Sequence, residues 1–295
     1  MAPRDLLLAL VVIVAWGLNF VVIKVGLDGL PPMLLGALRF ALVAFPAVFF
    51  VRRPALPWRW LIAYGATISL GQFAFLFEAM AHGMPPGLAS LVLQSQAFFT
   101  LFFAAAFLGE RLRPASVLGL LIAAGGLALI GLQHGDGQGV PLLAIVLTLC
   151  GGASWAMGNV LTRRFGSVNL MGLVIWGAIV PPLPFMALAW YFDGPERIAQ
   201  ALLNISGSSI LALVYLAVVA SMLGYGLWSR LLSRYPAGKV APFSLLVPVV
   251  GLASAALLLG ERLAPLQWWG GLLVMVGLLV NVFGPQLLRR WAPAA

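Results

Sequence analysis

The sequence predicts an all-α integral membrane protein: ten transmembrane helices arranged as two inverted five-helix repeats. Three observations predict it. The chain of 295 residues is 62% hydrophobic and only 8% charged, where a soluble domain holds about 45–50% apolar and about 25% charged residues. Ten apolar windows have the length of a membrane span. One charged pentapeptide, Leu-Gly-Glu-Arg-Leu, occurs twice, at 108–112 and 259–263, each time followed by a proline two residues on, Pro114 and Pro265.

A spanning helix needs about 20 apolar residues. In order, the windows are 6–27, 33–51, 59–82, 87–108, 114–132, 140–163, 169–192, 207–230, 238–259 and 265–287. The first is too long for a signal-peptide core and reads as a retained span. The breaks carry turn chemistry: GLDGLPP, RRPALPWR, HGMPPG, GERLRP, QHGDGQG, RRFGSVN, DGPER, SRYPAGK and GERLAP. Short connections make successive helices antiparallel neighbours. PPLP at 181–184 predicts a kink in span 7 and Pro248 one in span 9. Trp58 and Trp60, at a helix end, read as interfacial anchors.

Charge orients the spans. With the N-terminus cytoplasmic, the inner segments hold Arg4, Arg52, Arg53, Arg59, Arg111, Arg113, Arg163, Arg164, Arg230, Arg234, Lys239, Arg289 and Arg290, thirteen of the 17 basic residues. This asymmetry predicts both termini inside, in the cell's inner membrane. The net charge of +9 therefore marks topology in a lipid bilayer, and nucleic acid is not an expected partner. The lone Cys150 excludes an intramolecular disulfide. No metal cluster, phosphate-binding loop or catalytic set is evident, so neither an enzyme nor a cofactor is expected.

The two pentapeptides lie 151 residues apart, and the same offset aligns GMPPG at 83–87 with RYPAG at 234–238. AWGLN at 15–19 also echoes SWAMGN at 154–159 after a one-residue slip. Each half then has five spans, 1–135 and 136–295. An odd number of spans re-enters the membrane from the opposite side, so the halves are inverted, as in many secondary transporters.

Trp16, Gly17 and Asn19 in span 1, the Gly-Glu-Arg after spans 4 and 9, and Pro248 in span 9 resemble the drug/metabolite transporter superfamily, EamA type. Ala97 departs from it at the position paired with Pro248. The resemblance covers the whole chain. It implies a secondary transporter that exports amino acids, aromatic or other neutral ones, and similar small metabolites by alternating access, with aromatic amino acid exporters the nearest comparison. The alternative is a multidrug or organic-cation efflux transporter of the same fold. A monomer is expected.

Charged groups inside spans are costly and are functional candidates. Glu78 is the acid clearly within a span, and Gly71, Phe75, Glu78 and His82 share a stripe of span 3. Glu78 and His82 are candidates for a substrate amine or a coupling proton; the competing reading is a structural ion pair of Glu78 with Arg39 or Lys24. Trp16 and Asn19 share a face of span 1, Ser90 and Gln94 one of span 4 with Gln96 nearly opposite, Trp155, Asn159 and Thr162 one of span 6, Ser221, Tyr225 and Trp228 one of span 8, and Ser244, Pro248 and Gly251 one of span 9. Singly, each suits interhelical hydrogen bonding; together they suggest an amphipathic cavity lined by Trp16, Asn19, Gln94, Trp155, Asn159, Tyr225 and Ser244. Glu110, Arg111, Glu261 and Arg262 read first as helix-end groups, and also as latches, Glu110 inside and Glu261 outside.

Overall fold

A computed structural model describes residues 1–132, 139–166 and 168–291. The expected boundary between halves, 135/136, and part of QHGDGQG lie outside these residues. Among the described residues, ten helices are long and apolar enough to cross a membrane. They are span 1 (Pro3–Gly29), span 2 (Pro32–Phe49), span 3 (Trp58–Ala81), span 4 (Pro86–Leu108), span 5 (Pro114–Leu132), span 6 (Leu142–Arg164), span 7 (Leu170–Leu203), span 8 (Gly207–Arg234), span 9 (Ala241–Leu259) and span 10 (Pro265–Gly284). Their outer faces are apolar: Leu183 and Leu257 are 81% and 83% exposed, as helices solvated by lipid require.

Proline and glycine set the boundaries. Pro3, Pro32, Pro86, Pro114 and Pro265 start or nearly start their helices, where the missing N–H costs nothing. Helical residues in span 2 end at Ala44, just before Phe45-Pro46, and a short 3-10 turn over Ala47–Phe49 follows. Span 7 breaks at PPLP: one helix covers Leu170–Gly177 and the next starts at Pro182. Gly194, at φ +77°, interrupts that second helix before Pro195, so the membrane-crossing part ends near the DGPER break.

The repeated LGERL is a helix terminator. Gly109 and Gly260 take left-handed φ of +69° and +67°. The amide of Glu110 returns to the Ala104 carbonyl at 3.3 Å, and that of Glu261 to the Ala255 carbonyl at 3.2 Å. The amides of Gly109 and Gly260 return to the same two carbonyls, so each helix ends in a left-handed glycine cap, and that left-handed residue is why glycine precedes each glutamate.

Inversion is visible where spans 5 and 10 cross. A Cβ on Gly119 would meet the Gly277 carbonyl oxygen at 2.5 Å, and one on Gly126 would meet that of Gly270 at 2.5 Å. The reverse holds as well: Gly277 meets the Gly119 oxygen and Gly270 the Gly126 oxygen. The 151-residue offset maps Gly119 onto Gly270 and Gly126 onto Gly277. Each glycine therefore touches the image of the other, the self-complementary signature of a two-fold axis. The pairing runs in opposite chain directions, so the helices are antiparallel and the axis relates inverted halves. Backbones this close exchange Cα–H···O contacts and tolerate no side chain.

Irregular turns are also repeated. Span 3 carries a π-helical stretch over Gly65–Gly71 and span 8 one over Tyr215–Leu223. Span 4 tightens to a 3-10 turn over Leu93–Ser95 and span 9 over Ala241–Leu246. The offset carries each first-half segment into its second-half partner. Pro248 sits where the span 9 turn becomes α-helix, so the expected mid-span kink is a change of helix type. Such turns free backbone groups and often mark functional sites; here they surround the centre of the bundle.

Candidate functional site

A cavity of about 370 Å³ occupies that centre. Its walls come from both halves: spans 1 to 4 supply Trp16, Asn19, Arg39, Gln72 and Gln94, and spans 6, 8 and 9 supply Trp155, Asn159, Tyr225, Trp228 and Ser244. It extends to Thr162, Leu170, Leu232 and Ala241, at the ends of spans 6 to 9 on the membrane side that carries the N-terminus. Toward the other side the bundle is packed shut. Leu30, Met33, Leu34, Met80, Met84, Leu88, Leu213 and Leu216 are buried there in one apolar cluster. On the N-terminal side the corresponding cluster is small, with Ala9, Leu231 and Val240 at its core.

An aromatic wall forms where spans 1 and 8 meet. Trp16 donates its Nε1 proton to the Ala220 carbonyl at 2.9 Å. That acceptor lies in the π-helical stretch of span 8. The Trp16 ring lies 5.2 Å from the Tyr225 ring and 5.3 Å from Trp228, centroid to centroid. Opposite, span 4 meets spans 6 and 9 through amides. Asn159 Nδ2 donates to Gln96 Oε1 at 2.9 Å, and Gln94 Nε2 to the Ser244 carbonyl at 3.3 Å. Ser244 Oγ donates to the Ala241 carbonyl at 2.7 Å, inside the 3-10 turn of span 9.

Gln94 and Gln96 both line the cavity, although an α-helix would place them nearly opposite. The intervening 3-10 turn advances about 120° per residue rather than about 100°, which narrows the angle between them. Ser90 donates to the Gly87 carbonyl at 2.6 Å and lies 3.5 Å from the Pro248 carbonyl. A Cβ on Gly17 would meet Val250 Cβ at 2.5 Å, so spans 1 and 9 touch backbone to side chain at the cavity's deep end.

Seven of the nine expected binding residues thus meet at one cavity; Glu78 and His82 do not. His82 Nδ1 lies 3.4 Å from Glu78 Oε2, and the imidazole is half exposed. Neither expected structural pairing of Glu78 forms: Lys24 binds Asp28 at 2.9 Å, and Arg39 donates to Ser221 Oγ at 3.2 Å. The face of span 3 that lines the cavity is Tyr64, Ile68, Gln72 and Leu76; Phe75, on the stripe of Glu78, is exposed. The i, i+4 spacing of Tyr64, Ile68, Gln72 and Leu76 was the available signal, overshadowed by the acid. We expect Glu78→Gln to keep transport within about twofold in proteoliposomes, since a partly exposed pair away from the cavity contributes about 0–1 kcal/mol; abolished transport would return Glu78 to the mechanism.

Arg39 also lies in the cavity wall rather than in a peripheral gate. The two repeat glutamates hold different partners. Glu261 accepts from the Gly87 amide at 2.9 Å, on the closed side. Glu110 pairs with Arg163 at 3.2 Å, on the open side, both side chains about half exposed. Arg111 and Arg262 are exposed. Burial pushes the Glu261 carboxyl above the usual carboxylate range, against the pull of the Gly87 and Leu88 amides. Its Oε1 is buried without a partner. Among the described residues no group of three or more His, Cys, Asp and Glu side chains could hold a metal ion.

The chain matches the EamA-like transporter family over residues 4–132 and 142–283, one match per half. It is 51% identical over 298 residues to a "probable amino-acid metabolite efflux pump" of Escherichia coli, covering 100% of this chain and 98% of that one. A protein of the same description from Salmonella typhimurium is 50% identical, covering 98% of each chain. A solved crystal structure shares the fold, with TM-score 0.63, 23% identity and 99% of both chains covered. The chain is therefore a multi-pass membrane transporter, not an enzyme, and it belongs to the EamA-like transporter family.

Proposed function

We propose that the protein exports amino acids and similar small zwitterionic metabolites across the cell's inner membrane by alternating access. The carrying observation is the central cavity: built from repeat-equivalent turns, open toward one side and packed shut toward the other. Two inverted halves can exchange conformations, which moves the opening to the opposite face. The unequal partners of Glu261 and Glu110 fit that exchange. The acid on the closed side caps the start of span 4, while its equivalent on the open side is turned outward to Arg163.

The positive-inside distribution of arginines supports a cytoplasmic side for both termini and for the open mouth. The lining suits a compact, partly apolar solute: tryptophan and tyrosine faces, three glutamines and two asparagines. It holds neither a carboxylate nor a histidine among the described residues. Organic-cation cargo would lack a counter-charge there, and a coupling proton would lack a site, so the reading is facilitated export or exchange. The cavity is complete within one chain, so a monomer suffices.

Counterflow in proteoliposomes tests the reading against a panel of neutral amino acids, organic cations and sugars. Saturable counterflow of amino acids is the expected result; counterflow of organic cations without amino acids would replace the reading with multidrug efflux.

A further inference from the structure

Arg39 presents an unbalanced charge at the middle of the membrane. The residue is 2% exposed. Its Nη2 donates to Ser221, while its Nε and Nη1 are buried and have no partner. Among the described residues no carboxylate lies within ion-pair distance, because Asp28 and Glu78 are engaged by Lys24 and His82. The guanidinium carbon sits 4.0 Å from the Phe73 ring centroid. That contact offsets part of the desolvation cost but leaves the charge uncompensated.

The same wall holds two complementary vacated valences. Asn19 Oδ1 and Gln72 Oε1 are buried acceptors without partners, and both residues line the cavity with Arg39. Buried polar atoms are nearly always paired, so unpaired ones call for an explanation. Here the unpaired donors sit on a cation and the unpaired oxygens on neutral amides. A second void of about 20 Å³ borders Arg39 beside Tyr64, Ser69 and Tyr225. That is room for one oxygen-sized atom. Water there would satisfy a donor and leave the charge unbalanced; a carboxylate oxygen does both. The planar fork of guanidinium matches a carboxylate, and an ammonium matches two amide oxygens.

We propose that Arg39 is the carboxylate-binding residue of the transport site, with Asn19 and Gln72 as acceptors for the α-ammonium group. The proposal rests on the transport reading above and specifies its ligand: the backbone head of an α-amino acid at Arg39, with its side chain toward the ring faces of Trp155, Tyr225 and Trp228.

The test compares binding of a panel of L-amino acids with their methyl esters and decarboxylated amines, in purified wild-type protein, Arg39→Gln and Arg39→Lys. Wild type is expected to prefer acid over ester by about 10- to 100-fold, the scale of a hydrogen-bonded charge. In Arg39→Gln that preference is expected to fall to near one. Arg39→Lys retains the charge and the contact with Phe73. It is expected to lose several-fold of the preference, and it serves as the test if Arg39→Gln does not fold. An equal response of wild type to acid and ester would overturn the proposal while leaving transport intact. So would a preference that survives either substitution. If no amino acid binds the wild type, the transport reading falls and the proposal falls with it.

Discussion

Gly126→Ala is expected to destabilise the detergent-solubilised protein, lowering its thermal midpoint by about 5 °C or more, the scale of an overpacked interior site. The added Cβ would land 2.5 Å from the Gly270 carbonyl oxygen, 2.9 Å from the Val274 amide nitrogen and 3.0 Å from Leu273 Cβ. Two of these are backbone atoms, so the whole of span 10 must move. The neighbouring Gly125 meets nothing within 4 Å. Gly125→Ala is therefore expected to be neutral or to stabilise by about 0.5–1 kcal/mol through helix propensity. Chemically identical substitutions one residue apart should have opposite signs, and equal effects of the two would remove the seam of spans 5 and 10 as the anchor between the halves.

The second large effect is on the equilibrium between the two open states. Glu261→Ala removes the acceptor from the Gly87 amide on the closed side. Desolvation of the carboxyl offsets part of that hydrogen bond, so a net contribution of about 0.5–1.5 kcal/mol is expected, and the population open on that side should rise about 2- to 10-fold. Glu110→Ala removes only a half-exposed pair with Arg163, about 0–1 kcal/mol, and should change little. Labelling of Leu76→Cys in a Cys150→Ser background, with an impermeant maleimide applied to the closed side, reads the difference. Equal labelling in Glu261→Ala and Glu110→Ala would contradict a latch.

The same glutamate predicts a pH effect of definite sign. Burial raises its carboxyl pKa in the closed arrangement, while a conformer that exposes it restores the ordinary value. The closed arrangement therefore binds the proton more tightly and gains stability as pH falls; it loses that gain as pH rises through the raised value. Closed-side labelling of Leu76→Cys should decrease in mild acid with Glu261 present, and that dependence should be absent in Glu261→Ala.

The sequence carried the architecture because membrane folding is governed by few variables. Apolar length, proline position and arginine asymmetry place ten spans to within a few residues, and the 151-residue offset links the capped ends at Gly109 and Gly260. What it left open is helix rotation and helix type. Glu78 and Arg39 lie on neighbouring spans, yet packing turns one toward His82 and the other into the cavity. Gln96 faces the cavity through the 3-10 turn at Leu93–Ser95, which regular 100° periodicity does not contain, whereas Gln72 shares the i, i+4 face of Tyr64, Ile68 and Leu76. The unpaired nitrogens of Arg39 are a tertiary fact: its competing partners are spent elsewhere, and no single span records that.

The central claim is that two inverted halves open one cavity alternately to each face. Paired spin labels at repeat-equivalent positions test it most directly: Arg111→Cys with Ser233→Cys on the N-terminal side, and His82→Cys with Arg262→Cys on the other, in a Cys150→Ser background. All four positions are exposed, and the offset of 151 maps His82 onto Ser233 and Arg111 onto Arg262. Distances measured in liposomes with and without a transported amino acid are expected to change reciprocally, one pair closing as the other opens. Two distances that stay fixed, or that widen and narrow together, would contradict the account.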